Sequence, residues 1–256
     1  MNMNVILGVC FIVLILAIGG ERGCMAILTL CGNLLLFAAA VYMICMGIHP
    51  ILVTVLVSIG INAVSLFYQN GVNEKTKAAF ISVLIVMAVL AALVYYYGIK
   101  THIAGLDEID LQGEATMYYN FAIHTKMQLV AVSMVMIGLI GALMDTGIAV
   151  SSAVYEVYQN NRHLDQKALF SSGISIGKDI LGTTLNTLYF AYIGEALMLL
   201  LYLKQYQYSL IRLLNSKVFF QDFLCIVFSA IGCVLIIPVC AWVMAAVLGH
   251  SEKAEE

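Results

Sequence analysis

Long apolar runs separated by short polar punctuation make up this chain. Between residues 1 and 73 only Glu21 and Arg22 are ionised, and charge-free stretches recur at 78–99, 127–144, 180–194 and 223–251. A helix rising about 1.5 Å per residue needs roughly 20 apolar residues to cross ~30 Å of hydrocarbon. On that ruler the pattern predicts about seven crossings, at 4–20, 24–47, 51–68, 78–98, 127–154, 180–203 and 222–248, in one integral membrane domain covering 1–256. The expected fold class is all-α: a polytopic transmembrane helix bundle with the lipid bilayer as its solvent.

Composition agrees with the pattern. The chain is 62% hydrophobic and 11% charged, whereas a soluble domain is typically ~45–50% apolar and ~25% charged. A mean hydropathy of +0.99 leaves more apolar surface than one soluble core can bury, which excludes a soluble enzyme, a disordered chain and a secreted disulfide scaffold. The net charge of -3 gives no reason to expect nucleic acid. Residues 1–20 lack a basic leader and a small-x-small cleavage pattern before Glu21, so they read as a transmembrane helix rather than a signal peptide.

The seven cysteines all lie in apolar runs without C-x-x-C spacing, and none of His49, His102, His124, His163 and His250 shares metal-ligand spacing with another on one helix. These read as small core residues and as loop or helix-end histidines, so no metal site and no cofactor is expected. His-Glu-x-x-His and paired Gly-x-x-x-Asp acids are missing, and no enzymatic activity is expected.

Seven crossings place the termini on opposite faces. One face carries Arg22, Lys75, Lys77, Arg162, Lys167, Lys178 and Lys253; the other carries Lys100, Lys126, Lys204, Arg212 and Lys217. Excess Lys and Arg mark the cytoplasmic side, which puts the C-terminus inside. The longest polar loop, 100–126, holds Asp107, Glu108, Asp110 and Glu114, then Tyr118, Tyr119 and Phe121 at the expected headgroup level. Residues 204–220 alternate Tyr206, Tyr208, Leu210, Ile211, Leu213 and Leu214 with basic groups, as an interfacial helix does.

Candidate chemistry centres on one acid. Asp145 follows an uncharged run and precedes another, 146–155, so no choice of helix boundaries brings it to a headgroup layer. A charge at that depth costs roughly 2.5–3.5 kcal/mol on insertion scales. Gly138, Gly141, Asp145, Ala149, Ser152 and Glu156 recur at three and four and share one helix face, whose small residues let another helix approach. In the sixth predicted segment Asp179, Thr183, Asn186 and Phe190 share a face beside Gly182, Thr184 and Thr187, and Asn186 with the threonines could hydrogen-bond the Asp145 carboxylate. Glu195 is a second intramembrane acid. Thr54, Ser58, Asn62 and Ser65 form a third polar stripe, read as helix-packing contacts, with Asn62 a secondary candidate.

The run G-A-L-M-D-T-G-I-A-V-S-S-A-V-Y-E (141–156), the run L-F-S-S-G-I-S-I-G-K-D-I-L-G-T-T-L-N-T-L-Y-F-A-Y-I-G (169–194), and the earlier G-G-E-R-G and N-G-V-N-E-K-T resemble the YibE/F family of bacterial multi-pass membrane proteins. The resemblance implies a protein of the bacterial plasma membrane. It also implies adjacent paralogous pairs in Gram-positive bacteria, of which this chain looks like the short kind. More distantly, Asp145, Thr146, Glu156 and Arg162 followed by Thr183, Asn186 and Thr187 are similar to two helices of SecF-type subunits in the RND superfamily, where a mid-helix Asp relays protons. The chain lacks their basic pair before the helix-end acid and their large domain after the first helix.

Two functions follow as expectations. One is a transporter-like or permease-like subunit, coupled to protons through Asp145. The other is a non-transporting interaction subunit of a homo- or hetero-oligomer with a paralogous membrane protein.

Overall fold

The computed structural model describes residues 3–100, 126–205, 207, 209, 211 and 217–255. The acidic connector with its aromatic cluster, and most of the segment predicted to lie in the interface, fall outside the described residues. The described residues form helices and no strand: α1 (Met3–Cys45), α2 (Pro50–Ala63, continued by a π-helical turn over Val64–Tyr68), α3 (Glu74–Lys100), α4 (Met127–Asn160), α5 (Gln166–Gln205) and α6 (Lys217–Glu255).

The expected all-α bundle is present, but the count of about seven crossings is corrected. Among the described residues there are six helices, and five stretches are long and apolar enough to cross a membrane: Met3–Cys45, Pro50–Tyr68, Glu74–Gly98, Gln128–Asn160 and Phe219–Gly249. The first two predicted segments belong to one helix, α1, which breaks at Gly20, where φ is 52° and ψ is -130°. Only glycine adopts that backbone readily. A methyl group on Gly23 would run into the carbonyl of Ile15, although eight residues of unbroken helix would separate the two by about 12 Å. The G-G-E-R-G motif is therefore a sharp bend. α5 contains the sixth predicted segment and starts well before residue 180.

The short connection into α3 explains the second motif. Gly71 takes a positive φ of 75°, and Asn73 then caps the helix. Its Oδ1 accepts from the Thr76 amide at 3.0 Å, while the Asn73 amide donates to Thr76 Oγ1 at 3.0 Å. The Thr76 hydroxyl donates back to the Gly71 carbonyl at 2.8 Å. Reciprocal bonds of this kind satisfy the orphan donors of a helix start.

The centre of the bundle is α3, α4 and α6. Leu90 and Val94 of α3, Met136, Leu139, Ile140 and Leu143 of α4, and Ile236, Met244 and Leu248 of α6 form one buried cluster. α4 and α6 run the same way, since Gly138 meets Cys225 and Gly147 meets Ile236. α3 and α5 run against them, since Gly98 meets Val132 and Gly173 meets Ala241. α5 lies along α4 and α6, α2 along α4 and α3, and α1 touches only α2 and its π-helical turn closely.

In lipid, apolar burial gives helices no drive to associate, so close packing and interhelical hydrogen bonds must do it. At Gly177 the α5 backbone presses on Ile237, and at Gly232 the α6 backbone presses on Leu143 and Leu90. Thiols supply polar links along α6. Cys240 lies 2.9 Å from the Ser151 hydroxyl and donates to the Gly147 carbonyl at 3.2 Å, Thr146 donates to Cys233 at 3.6 Å, and Cys225 lies 3.2 Å from the Tyr192 hydroxyl. All seven cysteines are free.

Two substitutions test this packing. Asn73→Ala is expected to lower stability by about 1 kcal/mol, the usual worth of an N-cap, read from thermal unfolding in detergent micelles. Gly177→Leu should cost about 1–3 kcal/mol by overpacking against Ile237. Gly182→Leu, whose added side chain starts in open space, should leave the melting temperature unchanged or raised.

Candidate functional site

α4 is nearly surrounded. Ala142, Leu143, Thr146, Gly147, Val150, Ser151 and Val154 are buried against its neighbours, whereas Met134, Gly138, Gly141, Asp145 and Glu156 are exposed, and Ala149 and Ser152 are half-buried. The stripe expected from spacing is thus a single face; Cys225 of α6 and Tyr192 of α5 adjoin it at Gly138, and it is open from Gly141 to Asp145. Asp145 stands eighteen residues from the start of α4 and fifteen from its end, or about 27 Å and 22 Å along the axis. Both distances exceed the half-thickness of a bilayer core, so the carboxylate sits at membrane depth.

No described residue hydrogen-bonds the Asp145 carboxylate. The threonines expected to meet it are engaged with their own helix: Thr183 and Thr184 donate to the Ile180 carbonyl at 2.9 Å and 3.1 Å, and Thr187 donates to the Thr183 carbonyl at 2.9 Å. α5 turns Gly173 and Gly177 inward and leaves Asp179, Thr183, Asn186, Thr187 and Phe190 exposed. The helical period then forces the outcome, because Asn186 and Asp179 project from the side of α5 opposite its packed glycines. Within one chain the Asp145 stripe and the Asn186 stripe do not meet; each lies on the outside of the bundle. Glu156, near the end of α4, is also exposed.

The third stripe behaves in the opposite way. Thr54, Ser58 and Asn62 of α2 are each 0% exposed, while Val53 and Val57 on the adjoining side of the helix pack towards α1. Thr54 Oγ1, Ser58 Oγ and Asn62 Oδ1 have no hydrogen-bond partner among the described residues, and the Asn62 amide donates only a long 3.5 Å bond to the Phe80 carbonyl. An unsatisfied buried polar atom typically costs ~1–3 kcal/mol. Spacing alone reads these residues as packing contacts, and it cannot tell that this stripe is enclosed while the stripe carrying the charge is open.

Two features escaped the sequence reading. Asn33 of α1 donates to the Ser65 hydroxyl at 2.8 Å, joining α1 to the π-helical turn. Its signal was present, since Asn33 is the only amide side chain between Gly23 and Gly47. The other is at Glu195, which is exposed and lies near enough to Asp222 of α6 for the two carboxylates to repel, next to Tyr192 and Cys225. Asp222 stands at the very start of its predicted segment, where an acid reads as an ordinary helix-end residue. No group of three or more His, Cys, Asp or Glu side chains among the described residues is arranged to hold a metal ion.

A family model described as YibE/F-like protein matches residues 7–250, which includes the bend at Gly20, the capped start of α3 and both outward polar stripes. No significant match is found among curated proteins or among solved structures. With the match running over nearly its whole length, the chain belongs to the YibE/F-like family.

Proposed function

We propose that the chain is a transporter-like subunit of the bacterial plasma membrane whose Asp145 face is closed by another transmembrane chain. The observation that carries this reading is an exposed carboxylate at membrane depth on a face of small residues, with no hydrogen-bond partner among the described residues. A charge left against lipid costs roughly 2.5–3.5 kcal/mol on insertion scales. A neighbouring helix packed on Gly141 removes that cost if it supplies a donor or excludes the ionised form. Asp145 then takes up a proton when the interface shuts and gives it up when water reaches it, which couples proton occupancy to the state of the interface. The likeness of the Asp145 region to SecF-type helices favours the same role. Lys75, Lys77, Arg162 and Lys167 lie at the ends of α3, α4 and α5 that share a face with the end of α6, which favours a cytoplasmic C-terminus.

One observation favours a second reading, a purely structural subunit in an oligomer with a paralogous chain. Thr183 and Thr187 already satisfy their own helix, so no relay is preassembled between α4 and α5.

The two readings separate by experiment. The chain, co-expressed with its paralogous partner, is reconstituted into liposomes, and proton flux under an imposed pH gradient is followed with a trapped dye. The Gly141→Cys variant is cross-linked in the same membranes. The transporter reading expects cross-linking to a neighbouring chain and, for Asp145→Asn, flux reduced about tenfold or more, the scale of losing a positioned proton-transfer group, with assembly intact. Undiminished flux in Asp145→Asn rejects the relay and leaves the structural reading. A monomer without cross-links rejects both.

A further inference from the structure

Trp242, the only tryptophan of the chain, is 62% exposed on α6 and divides two contiguous grooves. One groove, of about 290 Å³, lies between α6 and the first turns of α5 and is lined by Gln166, Lys167, Phe170, Trp242 and Ala245, with Ala246 at its edge. The other, of about 420 Å³, lies between α6 and α3; Ile81, Ile85, Val243 and Val247 line it, and it shares Trp242 and Ala246 with the first. The first groove is polar at one end and the second is apolar throughout.

The depths of these groups are set by packing. A side chain on Gly249 would run into the Gln166 amide, so the start of α5 is level with Gly249, where the apolar span of α6 ends. Trp242 lies seven residues deeper, about 10 Å along the axis. Lys167 therefore sits where lipid headgroups begin, with an indole and an apolar cleft on each side of it below. Among the described residues Lys167 is in no ion pair, and no carboxylate lines either groove. Asp165 offers the first turn its backbone carbonyl, accepting from Ala168 and Leu169 at 2.9 Å and 3.0 Å. The ammonium of Lys167, the amide of Gln166 and the indole of Trp242 thus line an opening with no carboxylate among the described residues. Basic clefts between transmembrane helices recognise anionic headgroups on this chemistry.

The geometry points to a binding site for an anionic glycerophospholipid, with its phosphate at Lys167 and Gln166 and its two acyl chains in the grooves either side of Trp242. The site is remote from Asp145 in sequence and chemistry and does not depend on the reading of that residue.

Trp242 is its own reporter. The full chain is reconstituted in phosphatidylcholine bilayers containing a minor fraction of either brominated phosphatidylglycerol or brominated phosphatidylcholine, and quenching of tryptophan fluorescence is compared. The anionic lipid should be preferred about fivefold, the effect of one basic residue near a headgroup. Lys167→Gln should bring the preference to about one, and Lys167→Arg should keep it, because the site needs positive charge. Raising the salt concentration should weaken the preference in the unaltered protein, independently of any substitution. Equal quenching by both lipids would mean unselective boundary lipid, and no quenching by either would mean that a protein surface covers Trp242. Either result overturns the site, as does a preference that survives in Lys167→Gln or ignores salt.

Discussion

Close backbone contact around α4 is the constraint on which the rest of this structure depends. Lipid tails are as apolar as leucine side chains, so helices in a bilayer hold together by contact and hydrogen bonding rather than by exclusion of water. Gly147, Gly177 and Gly232 let Ile236, Ile237, Leu90 and Leu143 fill the space where side chains would stand. The Ser151–Cys240 and Thr146–Cys233 pairs add polar links that do not need water. Because α2, α3, α5 and α6 all claim parts of its circumference, α4 is left with one free face, and that face carries Asp145.

The polar groups divide according to that packing. Hydroxyls on α5 turn back on their own carbonyls and cost little at the surface. Thr54 and Ser58 on α2 do not turn back, and they are enclosed without partners among the described residues. Asp145 has neither remedy, since a carboxylate has no proton to give a backbone carbonyl unless it is first protonated. The unpartnered hydroxyls are thus enclosed while the charge is exposed, which ties the chemistry of the acid to whatever adjoins the bundle laterally.

Several features were legible because they depend only on neighbouring residues. The bend at Gly20 and the cap at Asn73 use glycine backbone freedom and short side-chain bonds over three or four residues, and both fall within the motifs that resembled the family. The common face of Gly138, Gly141, Asp145 and Glu156 follows from helical period alone. That 4–20 and 24–47 adjoin with no loop between them was not legible, because helical hydrogen bonding resumes directly after the bend while hydropathy records only the charges at Glu21 and Arg22. The early start of α5 was hidden for a related reason: Lys167, Lys178 and Asp179 look like loop residues to a hydropathy ruler, yet Gly173 and Gly177 in the same stretch pack against α6.

By itself the sequence determined the solvent, the helical class, the family and which residues share a helix face, since apolar content and a 3.6-residue period are local properties of the chain. The direction in which each face points was decided only by tertiary structure. Rotation of a helix about its axis is set by which small residues meet a neighbour's bulk, and Gly177 against Ile237 turned Asn186 outward as surely as the packing of α4 left Asp145 uncovered. That choice depends on pairs of residues some sixty positions apart in the chain, which no pattern along one segment encodes.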